Sequence, residues 1–152
     1  MWYLWVDAVP RPGFFNMAID ETLLRLAEAD GARVLRLYRW APACLSFGRH
    51  EPACRRYRRD RIAERGLDVV RRPTGGRAVW HDRELTYAVA APVATFGSLA
   101  ETYLTIHRTL ACALSGLGLA APWAVVGCAH PVAALILGGL LLGAVSAVRL
   151  VL

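Results

Sequence analysis

Lysine and glutamine are absent from the 152-residue chain and asparagine occurs once, as Asn16, so all 18 basic side chains are arginine. No ammonium side chain is therefore available as a catalytic cation. This uniform arginine usage reads first as compositional bias. It weakens the inference from a net charge of +6 and a pI near 9.7 to a nucleic-acid or other acidic partner. Cysteine is sparse: residues 44, 54, 112 and 128, with no CxxC pair, exclude a disulfide scaffold and a zinc ribbon and point to a reducing cytoplasm. A basic leader before a long apolar core is also missing, because the apolar residues 1–6 run into Asp7, Pro10, Arg11 and Pro12, so no secretory signal is expected. What is present is 56% hydrophobic residues, which rules out a disordered or collagen-like chain. The length fits one domain that buries about two-thirds of its unfolded surface.

Strand and helix patterns alternate along the chain. Residues 2–6 predict a strand ending at the prolines, and Asn16 is placed to cap a helix that carries Asp20 and Glu21 early and stops at Gly31. Residues 34–40, VLRLYRW, predict a half-buried strand, residues 45–48 a second, and residues 67–70 a buried one; the arginine-dense stretch 50–65 between them reads as solvated loop and helix. Thr74, Gly75 and Gly76 form a turn, and residues 85–91 give an apolar strand that stops before Pro92. Ser98 and Glu101 make a capping box before a helix reaching Ser115 and ended by Gly116. This mixture predicts an α+β or α/β domain.

Residues 71–87, RRPTGGRAVWHDRELTY, hold most of the chemistry. Two adjacent glycines let backbone approach a ligand, and Arg71, Arg72 and Arg77 add guanidinium groups suited to phosphate or carboxylate oxygens. No Walker loop is present. On turn chemistry alone the same residues read as a tight hairpin with solvated arginines. His81 beside Asp82 is either an acid–base group or, more commonly for such neighbours, a surface pair. An isolated cysteine in an apolar run, such as Cys128, reads by itself as a small buried hydrophobe.

Three blocks resemble the lipoate–protein ligase and octanoyltransferase family, also known as the biotin/lipoate A/B protein ligases. They are FNMAIDETLL (15–24), LRLYRWAPACLSFGRHE (35–51) and VVRRPTGGRAVWHDRELTYAV (69–89), and the register holds over about residues 2–120. The resemblance implies an α+β fold, a mixed sheet flanked by helices, shared with biotin ligases and class II aminoacyl-tRNA synthetases. It implies protein lipoylation: transfer of an octanoyl or lipoyl group to a lysine of a lipoyl domain. TGGR followed by HDRELTY is closer to the transferases, which take the acyl group from acyl carrier protein onto a cysteine, than to the ligases, which use lipoate, ATP and magnesium to make lipoyl-AMP. Carried over, Arg72 contacts the carboxyl or phosphoryl end of the acyl group, Gly75, Gly76 and Arg77 line its head, and Ala78, Val79 and Trp80 flank its tunnel. His81 belongs to the family's HD pair, with a structural or catalytic role. Cys128 in GCAHP resembles the transferases' nucleophile. No bound cofactor and no metal site are implied. The partners implied are acyl carrier protein and the lipoyl domains of 2-oxoacid dehydrogenase complexes or glycine cleavage H protein, and biotin stays open as an acyl group.

The resemblance breaks after about residue 122. The family's essential lysine falls on Leu140 in GGLLLGAVS (138–146), and loss of a preorganised charge costs on the order of 3 kcal/mol of transition-state stabilisation. The expected division is therefore residues 1–122, the N-terminal part of a ligase-type catalytic domain incomplete at its C-terminus, and residues 123–152, a divergent apolar segment. That segment reads as a truncated or frame-shifted tail, as a 17-residue membrane span (132–148), or as two strands broken at Gly138 and Gly139. Besides the transferase and the ATP-dependent ligase, a third reading is a catalytically incomplete fragment or accessory subunit that binds acyl groups or lipoyl domains beside a complementary subunit. Nucleic-acid binding rests on charge alone and is not expected.

Overall fold

The computed structural model describes residues 1–116 and 148–151. They divide into one unit of residues 1–92 with 148–151, and a second of residues 93–116.

The first unit holds two mixed sheets. Strands β1 (Tyr3–Val6), β2 (Val34–Tyr38), β6 (Thr86–Ala90) and β7 (Val148–Val151) lie in the order β1-β2-β6-β7. β1 runs parallel to β2, β2 antiparallel to β6, and β6 parallel to β7. The smaller sheet orders β4 (Asp68–Arg71), β3 (Cys44–Phe47) and β5 (Val79–His81) as β4-β3-β5, parallel on one side of β3 and antiparallel on the other. Helix α1 (Gly13–Asp30) packs on β3, β4 and β6, while α2 (Ala53–Arg56) and α3 (Arg59–Glu64) are short and carry no buried residue. The expected α+β architecture, mixed sheet with helices, is present. β4 is half-buried to exposed rather than buried, and β6 is covered at every position.

One expectation near α1 needs correction. The helix opens at Gly13, whose N–H donates to Asp68 Oδ2 at 3.0 Å, and Asn16 lies inside it, fully buried. Asn16 is not a cap because its side chain serves the core: its Nδ2 donates to the carbonyls of Arg11 and Arg39. On β2, the face turned inward carries Val34, Arg36 and Tyr38, so the arginine that breaks the apolar pattern is a core residue. Arg36 donates to Asp20 Oδ1 at 2.8 Å, Asn16 Oδ1 at 2.8 Å and Asp7 Oδ2 at 3.1 Å, and its guanidinium lies 4.0 Å from the Tyr38 ring centroid. Tyr38 in turn donates to Asp20 Oδ2. A charge removed from water needs such partners, since an uncompensated buried ion costs several kcal/mol; of the guanidinium nitrogens, the Arg36 Nε alone has none among the described residues. Gly31 ends α1 in the left-handed conformation, as expected.

In the second unit α4 (Leu99–Gly116) begins with the expected capping box. Ser98 N–H donates to Glu101 Oε2 at 2.7 Å and Glu101 N–H to Ser98 Oγ at 3.3 Å; the Ser98 hydroxyl, also donating to Oε2 at 2.7 Å, and then the Ser98 N–H hold the Glu101 carboxyl below its ordinary pKa. The membrane-span and broken-strand readings of residues 132–148 fall almost wholly outside the described residues. Among those described, no helix is long and apolar enough to cross a membrane.

Arg36→Ala takes the cation from buried Asp20 and leaves Asp7 with Arg11 alone, and is expected to lower stability by about 3–5 kcal/mol in urea titration, against about 0–1 kcal/mol for Arg25→Ala in the exposed Arg25–Glu21 pair. Asp7 is held below its ordinary pKa, chiefly by the Arg11 hydrogen bond. Its contribution is complete above the unfolded value of 3.8 and is lost as pH falls through the lower folded value, so acid titration destabilises the native chain there.

Candidate active site

The loop 72–78 joins β4 to β5 and is held from below by one buried side chain. Arg72 is 6% exposed. Its Nη1 donates to the Ser46 carbonyl at 2.8 Å and to Ser46 Oγ at 3.2 Å, and its Nη2 donates to the carbonyls of Gly75 at 2.8 Å and Arg77 at 2.6 Å. Arg71 does the same for the neighbouring turn, with Nη1 donating to the carbonyls of Gly48, Arg49 and Glu51. The two turns also touch directly. Arg49 N–H donates to the Thr74 carbonyl at 2.8 Å, and a Cβ on Gly48 would collide with the carbonyl oxygen of Gly76. Gly76 itself sits at φ +90, a conformation L side chains rarely adopt, and a Cβ there would lie 2.8 Å from Arg72 Nη2.

Below the loop, β3 and β5 turn polar side chains inward. His81, fully buried, places Nε2 2.7 Å from Ser46 Oγ and pairs its Nδ1 with Glu84 Oε1. Thr86 Oγ1 donates to the same Glu84 oxygen at 2.8 Å, and Trp40 Nε1 donates to Thr86 Oγ1 at 2.8 Å. The Trp40 indole stacks on the imidazole with centroids 4.0 Å apart. Beside the loop, Tyr57 donates to Glu51 Oε1 at 2.7 Å, and that carboxylate raises the phenol above its ordinary pKa.

Gly75, Gly76 and Arg77 are exposed, Ala78 and Val79 half-buried, and Trp80 44% exposed. Thus the segment from Arg72 to His81 forms one surface over one polar core, and Arg72, Gly75 and Arg77 meet through hydrogen bonds. Two simpler readings are overturned. Arg72 is not a solvated turn arginine, and His81 is not half of a surface pair with Asp82; its partner is Glu84, on the buried side of the turn. Ser46, Gly48, Glu84, Thr86 and Trp40 were not singled out as site residues. The available signals were the i, i+2 spacing of Cys44 and Ser46 on one strand face and an acid three residues after His81. Cys128 lies outside the described residues. Among the described residues no group of His, Cys, Asp and Glu could hold a metal ion.

The site is thus an α+β domain's exposed glycine loop resting on a buried guanidinium. Residues 12–125 match the lipoyl protein ligase A/B catalytic domain, and the chain belongs to that family. It is 41% identical over 118 residues to octanoyltransferase LipM of Carboxydothermus hydrogenoformans, covering 75% of this chain and 44% of that protein. To octanoyltransferase LipM of Staphylococcus aureus it is 37% identical over 116 residues, covering 74% and 42%. Among solved structures it is similar to a Thermoplasma acidophilum protein described as a lipoate protein ligase, with bound lipoic acid. That likeness has a TM-score of 0.67 and 25% identity over 78% of this chain and 48% of that one. It is also similar to a bi-partite lipoate protein ligase of the same organism studied with its E2 lipoyl domain, with TM-score 0.61 and 25% identity over 77% and 45%. The chain spans less than half the length of these proteins.

Gly48→Ala is expected to push the two turns apart and to cost about 1–3 kcal/mol, read as a lower midpoint in urea. Gly75→Ala, where a Cβ meets nothing within 4 Å, is expected to leave the midpoint within about 0.5 kcal/mol.

Proposed function

We propose that this chain carries the acyl-recognising part of an octanoyltransferase that modifies lipoyl domains. The observation that carries the reading is the loop 72–78. Its exposed glycine backbone has no side chain to exclude a ligand, and its position is fixed by Arg72 rather than by the ligand. Gly75, Gly76 and Arg77 bind the polar head of the acyl group, Ala78, Val79 and Trp80 flank its apolar chain, and Arg72 and His81 support them from the buried side. The similarity to octanoyltransferases at about 40% identity favours an acyl thioester as donor over lipoate with ATP and magnesium.

In this proposal the Cys128 thiolate attacks the thioester carbonyl of octanoyl-acyl carrier protein, forming an enzyme thioester and releasing the carrier's thiol. The amine of the lipoyl-domain lysine then attacks that thioester, forming the amide and returning the cysteine. Donors that converge on the carbonyl oxygen stabilise both tetrahedral intermediates. The acceptors are lipoyl domains of 2-oxoacid dehydrogenase complexes or glycine cleavage H protein. Residues 1–122 supply the catalytic-domain part and 123–152 a divergent segment. Because the sequence has no lysine, an ammonium group near the thiolate must come from a complementary subunit or further sequence. The setting is the cytoplasm, and nucleic acid has no part.

Intact-mass analysis after incubation with octanoyl-acyl carrier protein, followed by an apo lipoyl domain, tests this. The expected result is an octanoyl adduct that hydroxylamine removes, that the lipoyl domain discharges, and that Cys128→Ala abolishes. Unchanged transfer by Cys128→Ala would refute the nucleophile. Transfer only with lipoate and Mg-ATP would make the protein a ligase. Octanoate binding without either reaction would identify a subunit that holds the acyl group for a partner.

A further inference from the structure

We infer that Ser46, His81 and Glu84 are positioning residues that set the acyl loop through Arg72, a role that rests on the acyl-handling reading above. The hydrogen bonds run in one direction. Arg72 has only donors, so Ser46 Oγ accepts from it at 3.2 Å. The Glu84 carboxylate accepts from the Nδ1–H of His81; in the inferred relay the ring is neutral, and its bare Nε2 accepts from the Ser46 hydroxyl 2.7 Å away. A buried cation, 6% exposed, and a buried acid, 7% exposed, are thus joined through an imidazole and a hydroxyl. Thr86 adds a second donor to Glu84, and the stacked Trp40 fixes the imidazole plane.

The other end of the same guanidinium holds the carbonyls of Gly75 and Arg77. Both following peptides are trans, the one cis bond among the described residues being Ala41–Pro42. A trans peptide points its N–H opposite its C=O, so the Gly76 N–H is turned away from Arg72, toward the exposed side of the loop. The tautomer of His81 therefore sets which way the Ser46 hydroxyl donates while it accepts from Arg72 beside the Ser46 carbonyl, and Arg72 sets where the loop aims its donor. Arg72 acts through the loop carbonyls rather than by touching the acyl group.

NMR of the full-length chain, 15N-labelled at histidine and arginine, tests the relay. The expected wild-type signature is a His81 proton on Nδ1, a bare Nε2, and slowly exchanging Arg72 guanidinium protons. Ser46→Ala and Glu84→Ala are each expected to speed that exchange by about tenfold or more and to weaken octanoate binding by about tenfold in calorimetry. Glu84→Gln, whose amide oxygen still accepts from His81 and Thr86, keeps the tautomer and the slow exchange. A wild-type His81 protonated on Nε2 overturns the proposal without any variant. So do alanine variants with native circular dichroism and unchanged Arg72 exchange. If the NMR signatures respond as expected while wild-type chain binds no octanoate, the relay stands and the acyl reading fails.

Discussion

A guanidinium removed from water must find oxygen atoms, and Arg72 finds them in the backbone that the site is made of. Arginine stays protonated, so its burial does not relax by neutralisation as that of lysine does. Arg72 therefore draws in the carbonyls of Ser46, Gly75 and Arg77, and the loop has its shape because that demand is met. The same constraint explains the glycines. Only residues without side chains let the Gly48 and Gly76 turns touch while their carbonyls remain within reach of Arg71 and Arg72. A protein without lysine has built both its core and its candidate site around buried guanidinium groups.

Arg36 repeats the device with a different outcome. Its acceptors are Asp7 and Asp20, so charge is matched to charge and the result ties α1 to β2 and to the residues after β1. Arg72 donates to the carbonyls of Ser46, Gly75 and Arg77, and the Glu84 carboxylate connects to it by way of Ser46 and His81. The first arrangement holds the sheet. The second holds a surface loop in a pose its own turn propensities do not dictate, as preorganised binding of a polar group requires.

Much of this was legible in the sequence because it follows from local pattern. The capping box at Ser98 and Glu101, the stop at Gly31, and the strands around residues 34–38 and 86–90 need only neighbours three or four positions away. The arginine-dense short helices after residue 52 follow from composition. What stayed hidden depends on distant residues. The burial of Arg36 has no local signal, because its partners Asp7, Asn16 and Asp20 come from two other segments. Asn16 looked like a cap because nothing local shows that the Arg11 and Arg39 carbonyls will need its amide. His81 looked exposed beside Asp82, since a strand end followed by a turn does not say which acid folds underneath. The site loop was found through a family motif. Its support, Ser46 and Glu84, lay inside the quoted motifs without a role, because a role there appears only when β3 and β5 pair.

The proposed function thus rests on a loop whose exposed backbone, held by buried groups, would meet the polar end of an acyl chain. The most direct measurement is an amide NMR titration of the 15N-labelled chain with octanoate. The account predicts saturable shifts concentrated at Gly75, Gly76, Arg77 and Ala78, with the amides of α3 unmoved. Saturable binding that shifts amides elsewhere and leaves residues 75–78 unchanged would contradict it.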